Sequence, residues 1–328
     1  MAQVLIRNLS MRRLLDNLFV SAVATVLVIR VFLFLTGWPT IGGARLHIAH
    51  MLWGGFFMIA AIIFLLAFLG HKVQHWSAIL GGIGFGFFID ELGKFITRDN
   101  NYFFQPTFML MYLIFIGLYF VIRELEKSVE LNEVEKLINA LDLSQEAVLK
   151  EVDSEGRVQL LKLIEAPVGH EALFTQLRLI IQESSIVPET KWFKFTQKVK
   201  AKYFTFAQSK YFIPAIVGLW ITQGGLLTYS FSQFWITRES TLAEQMIVVL
   251  GIGFAGIAGL QILRGIFDLG HDRAEAYRKF YRGNLISVLL MQPFALYVAT
   301  FGPIITLAIN LFALFTLQYL LSLEKRHG

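Results

Sequence analysis

Residues 83–95 read Ile-Gly-Phe-Gly-Phe-Phe-Ile-Asp-Glu-Leu-Gly-Lys-Phe, and this stretch is the best pointer in the sequence to an active or binding site. Asp90 and Glu91 are adjacent, and Lys94 follows about one helical turn later, within a run that is otherwise apolar. An ionisable side chain at bilayer depth costs about 2.5–3.5 kcal/mol on insertion scales, so such residues usually face a cavity or a partner. The stretch therefore predicts a membrane-spanning helix that carries a binding or active site.

The composition of the whole chain is that of a membrane protein. Of its 328 residues, 55% are hydrophobic and 16% are charged, whereas soluble domains average about 25% charged residues. The chain contains no cysteine, which excludes disulfides and thiolate chemistry and leaves histidines and carboxylates as metal ligands. The net charge of +5 is interpreted as the basic excess of cytoplasmic loops, and no nucleic-acid partner is predicted.

Eight stretches are long and apolar enough to cross a bilayer, which requires about 20 mostly apolar residues. They lie at about 15–38, 46–70, 76–97, 103–122, 211–235, 242–266, 285–301 and 304–323. The sequence therefore predicts an all-α fold with eight transmembrane helices and a helical cytoplasmic insert after the fourth. The corresponding domains are a first bundle at 1–123, the insert at 124–210 and a second bundle at 211–328.

Lysine and arginine are concentrated in alternate loops, and this asymmetry indicates the orientation of the spans. They precede the first span, accumulate before the fifth, and recur between the sixth and seventh and at the end of the chain. Both termini are therefore predicted to be cytoplasmic, with the lipid bilayer as the main partner.

This topology places ionisable residues from three consecutive spans in one layer in the outer half of the membrane. At a rise of about 1.5 Å per residue, Asp90 and Arg30 lie roughly 10 Å below the outer ends of their spans, and His50 about 6 Å below its own. His47 and His50 share one helix face, and Asp90 and Lys94 share another. Glycines at 81, 82, 84 and 86 allow neighbouring helices to approach closely.

The first interpretation of this layer is a transporter or channel for a small ion or solute. Its site would consist of the ionisable residues Arg30, His50, Asp90, Glu91 and Lys94. The carboxylates would bind a cation or a proton, the basic residues would balance their charge, and the histidine would line the pocket. Burial favours the protonated carboxyl group, so such a group can carry a proton in a coupled transporter.

Two further interpretations stay open, one of them enzymatic. A metal-dependent membrane enzyme near the outer leaflet would hold a divalent ion through a set drawn from His47, His50, Asp90 and Glu91, and the ion would activate water. The His-x-x-His spacing differs from the HExxH of metalloproteases. A structural or assembly subunit would use the layer only as an ion-pair network. It would act through its cytoplasmic insert, with a membrane-complex partner or a second copy of the chain.

The end of the insert, residues 189–210, combines lysines with aromatic residues. Basic amphipathic segments of this kind are typical of helices that lie on a membrane surface and contact anionic lipids. We therefore expect a helix along the inner leaflet. The alternative is an inward extension of the fifth span.

Three segments resemble a family of bacterial multi-pass membrane proteins with no assigned activity. They read Arg45-Leu-His-Ile-Ala-His, Phe88-Ile-Asp-Glu-Leu-Gly-Lys-Phe and Asp99-Asn-Asn-Tyr-Phe-Phe-Gln-Pro. The resemblance covers about residues 45–106. It implies a protein of the bacterial inner membrane and implies no reaction, substrate or cofactor.

Overall fold

The computed structural model describes most of the two ends of the chain and little of its middle. The described residues are 6–37, 50–98, 104, 106–126, 132–148, 161, 175–176, 178–179, 191–237, 241–298 and 301–327. Within them the regular structure is helical and contains no strand, which confirms the predicted all-α class.

Twelve α-helices are assigned among the described residues. They are α1 Met11–Thr36, α2 Met51–Ala67, α3 His71–Asp90, α4 Leu92–Ile96, α5 Pro106–Leu125, α6 Glu133–Val148, α7 Lys191–Ala207, α8 Phe212–Thr237, α9 Leu242–Asp268, α10 Arg273–Ile286, α11 Gln292–Val298 and α12 Phe301–His327. A π-helical segment, Ser287–Met291, lies between α10 and α11.

The chain divides into two compact units. Unit 1 comprises Met1–Tyr102 and Gly117–Lys194, and unit 2 comprises Phe103–Ile116 and Phe195–Gly328. The boundaries fall inside α5 and α7. The predicted division into two bundles and an insert stays a prediction.

Five described helices are long and apolar enough to span a membrane. They cover Met11–Leu33, Pro106–Leu125, Phe212–Ile236, Leu242–Asp268 and Gly302–Glu324. The chain therefore has the helices of an integral membrane protein. The number of spans beyond these five stays a prediction.

Three predicted spans differ in the structure from a single long α-helix. The second predicted span contains α2, which is apolar but has only 17 residues. The third is interrupted at Glu91, between α3 and α4. The seventh falls in a continuous helical run, 273–298, in which the π-helical segment changes the hydrogen-bond pattern without ending the helix. A count of apolar residues detects hydrophobicity but does not detect where a helix ends, turns or changes its hydrogen-bond pattern.

Glycines bring α3 into backbone contact with α1 and α2. A Cβ atom added at Gly82 or Gly86 would lie 2.2 or 2.6 Å from a carbonyl oxygen of α1. One added at Gly84 would lie 2.6 Å from the carbonyl oxygen of Gly54 in α2. The structure therefore shows the close approach that the glycine spacing predicts, and it fixes the three helices that carry the ionisable layer.

α6 lies against the N-terminal ends of α1 and α3. Asn139 accepts a hydrogen bond from the backbone N–H of Leu9 at 2.7 Å and donates one to the carbonyl oxygen of Arg7 at 2.7 Å. His71, at the start of α3, has its Nε2 atom 3.2 Å from Oδ2 of Asp142. The first helix of the predicted insert is thus part of unit 1, where partly buried polar contacts join it to the start of the chain and to α3.

α7 is separate from α8 and packs on α12. It ends at Ala207, before α8 begins at Phe212, so it is not a continuation of that helix. The hydroxyl groups of Tyr203 and Thr316 are hydrogen-bonded. The ring centroids of Phe204 and Tyr319 are 4.3 Å apart. Tyr203 and Phe204, which belong to the helix predicted to lie along the inner leaflet, therefore contact α12.

Candidate functional site

Asp90 and Glu91 lie where a helix breaks. α3 ends at Asp90, and Glu91 has φ −86° and ψ 3° before α4 begins at Leu92. These dihedrals fall in the sparsely populated bridge region, where many active-site residues are found. The backbone N–H of Lys94 donates to the carbonyl oxygen of Glu91 at 3.0 Å, which closes a tight turn. The break sets the directions of the two adjacent carboxylates.

Asp90 is completely buried and binds two other parts of unit 1. Its Oδ1 atom accepts a hydrogen bond from Nε of Arg30 at 2.5 Å, and its carbonyl oxygen accepts one from Nη2 of Arg30 at 3.0 Å. Its Oδ2 atom lies 3.0 Å from Nε2 of His50. The carboxylate therefore connects α3 to α1 and to the residue before α2.

Glu91 is 1% exposed and has different partners. Its Oε1 atom accepts a hydrogen bond from Nζ of Lys94 at 2.9 Å and lies 2.8 Å from Nδ1 of His50. Its Oε2 atom is buried and has no hydrogen-bond partner among the described residues. Glu91 thus carries a charge balanced by Lys94 and one oxygen that can accept a further bond.

The structure brings five of the predicted site residues together, and we call this group the polar cluster. It comprises Arg30, His50, Asp90, Glu91 and Lys94. The sixth, His47, lies outside the described residues, as do Arg45 and Asp99.

The contacts of His50 require an additional proton in the polar cluster. A neutral imidazole has one N–H group and one acceptor nitrogen. Both ring nitrogens of His50 lie within 3.0 Å of a carboxylate oxygen, so both need a hydrogen to make a bond. Each carboxylate is also bound to a basic side chain, which stabilises its ionised form. The arrangement is therefore that of an imidazolium between two carboxylates.

The same contacts occupy most of the nitrogen and oxygen atoms that could serve as metal ligands. Among the described residues, no group of three His, Asp or Glu side chains is arranged to hold one. Both nitrogens of His50 and both carboxylate oxygens of Asp90 bind other side chains. Catalytic zinc sites usually have three protein ligands. Oε2 of Glu91 is the one oxygen of the polar cluster's two carboxylates that has no partner among the described residues. Because His47 lies outside those residues, the predicted metal set stays a prediction.

The sequence did not lead us to predict that Phe87 packs against the polar cluster. The ring of Phe87 meets the imidazole of His50 edge to face, with centroids 6.1 Å apart. Phe87 lies four residues before Glu91, on the same helix face, and this spacing is the signal that could have indicated it. An apolar ring beside the imidazole limits its contacts with water.

No family model, curated protein or solved structure matches the chain. The resemblance of residues 45–106 to a bacterial membrane-protein family therefore stays a prediction.

Proposed function

We propose that this integral membrane protein transports or conducts a small ion, and that the polar cluster is its proton-binding site. The observation that carries the proposal is the position of His50, with one ring nitrogen on Asp90 and the other on Glu91. Carboxylate and histidine chains inside membranes are characteristic of proton relays.

Loss of the proton would change the contacts of His50. A neutral imidazole would present a lone pair to one of the two carboxylates, and the repulsion would open that contact. Since His50 lies directly before α2 while both carboxylates lie at the α3–α4 break, protonation would bias the position of one element against the other. Coupling between proton binding and helix position is what a transport cycle requires.

The polar cluster has a more accessible side and a closed side. The side chains of His50 and Lys94 are each 20% exposed, whereas Asp90 and Glu91 are at most 1% exposed. A proton or cation would therefore enter past His50 and Lys94. On the orientation given by the basic loops, this entrance belongs to the outer half of a bacterial inner membrane, with both termini cytoplasmic.

Proton flux in reconstituted vesicles tests the proposal. The full-length protein would be placed in liposomes that contain a pH-sensitive dye, and a potassium diffusion potential would be imposed. We expect proton uptake above that of protein-free liposomes, and a decrease of about tenfold or more in Asp90→Asn and in Glu91→Gln, which corresponds to about 1.4 kcal/mol in a barrier.

The matched control is Asp16→Asn, because Asp16 is a half-exposed carboxylate of α1 outside the polar cluster. This variant should keep the wild-type rate. Gel filtration and circular dichroism would establish that all variants fold. Wild-type flux no greater than that of empty liposomes would reject the proposal, as would full flux in both cluster variants.

A structural or assembly subunit is the second candidate function. Its support is the pairing of Arg30 with Asp90 and of Lys94 with Glu91, which balances two buried charges. In that case the vesicles would show no proton flux, and a stoichiometric partner would be retained on purification. The metal-dependent enzyme receives no comparable support from the described residues.

A further inference from the structure

An apolar groove runs along the surface of unit 2 between the end of α7, α8 and α12. Its volume is about 340 Å³, which is within the range of about 300–1,000 Å³ for small-molecule sites. Aromatic and aliphatic side chains line it, among them Phe206, Phe212, Ile216, Leu219, Ile309 and Phe312. Such a lining fits a hydrocarbon chain and offers nothing to a polar solute.

Three lysines precede the groove-lining residues of α7 and α8 in the chain. Lys202 lies four residues before Phe206 on the same face of α7, and Lys198 lies one turn further back. Lys210 lies two residues before α8 begins, with its Nζ atom 5.2 Å from the ring centroid of Tyr211. All three lysines are exposed. Within the described part of the chain, neither Lys198 nor Lys202 is paired with a carboxylate.

The other face of α7 is occupied by protein. Ala207 is buried, and Tyr203 and Phe204 contact α12. This packing holds the helix in place and leaves Lys198 and Lys202 exposed on its other face. α7 therefore presents a fixed basic surface beside an apolar channel.

We propose that the groove binds one acyl chain of an anionic phospholipid, whose headgroup is attracted by the positive charge of Lys198, Lys202 and Lys210. Clusters of lysine at a membrane surface attract anionic headgroups. From Phe212 to Leu219 the groove follows α8 for about 10 Å, at 1.5 Å per residue, which is deep enough for part of an acyl chain. The lipid belongs to the leaflet at the lysine-rich end of α8. This inference is independent of the proton site in unit 1.

Native mass spectrometry of the delipidated full-length protein tests the site. The protein would be titrated with phosphatidylglycerol and with phosphatidylcholine of the same acyl chains. We expect one phosphatidylglycerol to bind at least about tenfold more tightly, a difference of about 1.4 kcal/mol. Glycerol phosphate, which has the phosphate but no acyl chain, should not displace it.

Variants separate the two halves of the site. Replacing all three lysines by glutamine should weaken phosphatidylglycerol binding about 100-fold, given about fivefold for each lysine at a membrane surface. Ala215→Trp should weaken both lipids by filling the groove, because Ala215 lines it and is exposed. Ala243→Trp, at an exposed position of α9, should change neither affinity.

A charge control excludes general attraction between lipid and protein. Arg264, Arg273 and Arg282 are exposed cations of unit 2 outside the groove, and their replacement by glutamine removes the same charge. This triple variant should keep the preference for phosphatidylglycerol. The proposal is overturned if wild type binds the two lipids equally, if both triple variants lose affinity equally, or if Ala215→Trp binds like wild type.

Discussion

The proton on His50 distinguishes the polar cluster from two ordinary salt bridges. Arg30 and Asp90 balance each other, as do Lys94 and Glu91, so the imidazolium adds one positive charge between two carboxylates. At low local dielectric, both the attraction in the protonated state and the repulsion in the neutral state are larger than in water. A single proton can therefore change the local structure.

Arg30→Ala is expected to destabilise the protein by about 3–5 kcal/mol, because breaking a buried ion pair leaves an uncompensated charge on Asp90. Denaturant titration in detergent micelles, followed by circular dichroism, measures this change. The double variant Arg30→Ala, Asp90→Ala should be less destabilised than the single variant Arg30→Ala, because it leaves no uncompensated charge. Arg12→Ala is the control, because the Arg12 side chain is 73% exposed and 3.9 Å from Glu126. A loss below about 1 kcal/mol for Arg30→Ala would show that the pair is not buried in the folded protein.

The depth of each ionisable residue within its predicted span, and the spacing of such residues along one helix, were sufficient to predict which residues lie close together. Asp90, Arg30 and His50 were expected in one layer, and the structure brings them into contact. The double contact of His50 was not predictable, because it depends on the helix break at Glu91. The apolar pattern on either side of Glu91 continues through this break without a proline.

At the scale of elements, the backbone contacts of α3 hold the site together. The glycines at positions 82 and 86 face α1, and the glycine at position 84 faces α2, so one helix is fixed on two sides. The sequence predicted this approach, since small residues at membrane helix interfaces allow it. It predicted a helical insert, to which α6 belongs, but it did not predict the polar contacts of α6 with Arg7 and His71, which join residues far apart in the chain.

Gly84→Ala is expected to destabilise the protein by about 1–3 kcal/mol or more, as overpacking does. The added methyl group would meet the carbonyl oxygen of Gly54 at 2.6 Å, and that backbone atom cannot move alone. Gly253→Ala is the matched control, because no described atom lies within 4 Å of its added Cβ. It should be neutral or gain up to about 1 kcal/mol from helix propensity. Equal stability of the two variants in denaturant titration would contradict the packing of α2 on α3.

At the scale of the whole molecule, composition was sufficient to predict a helical membrane protein. The five long apolar helices agree with it, and the count of eight spans stays a prediction. The two units contain separate features: the polar cluster lies wholly in unit 1, and the apolar groove lies wholly in unit 2. Each can be changed by substitution without altering the residues of the other.

The protonation state of His50 distinguishes a proton-binding site from two ordinary salt bridges. The full-length protein would be labelled with ¹⁵N in its histidines, and the His50 signal would be assigned by its loss in His50→Gln. At pH 7 we predict that both ring nitrogens of His50 carry a proton in the wild type. In the double variant Asp90→Asn, Glu91→Gln, the signal should become that of a neutral imidazole. A neutral His50 in the wild-type protein at the same pH would contradict the account.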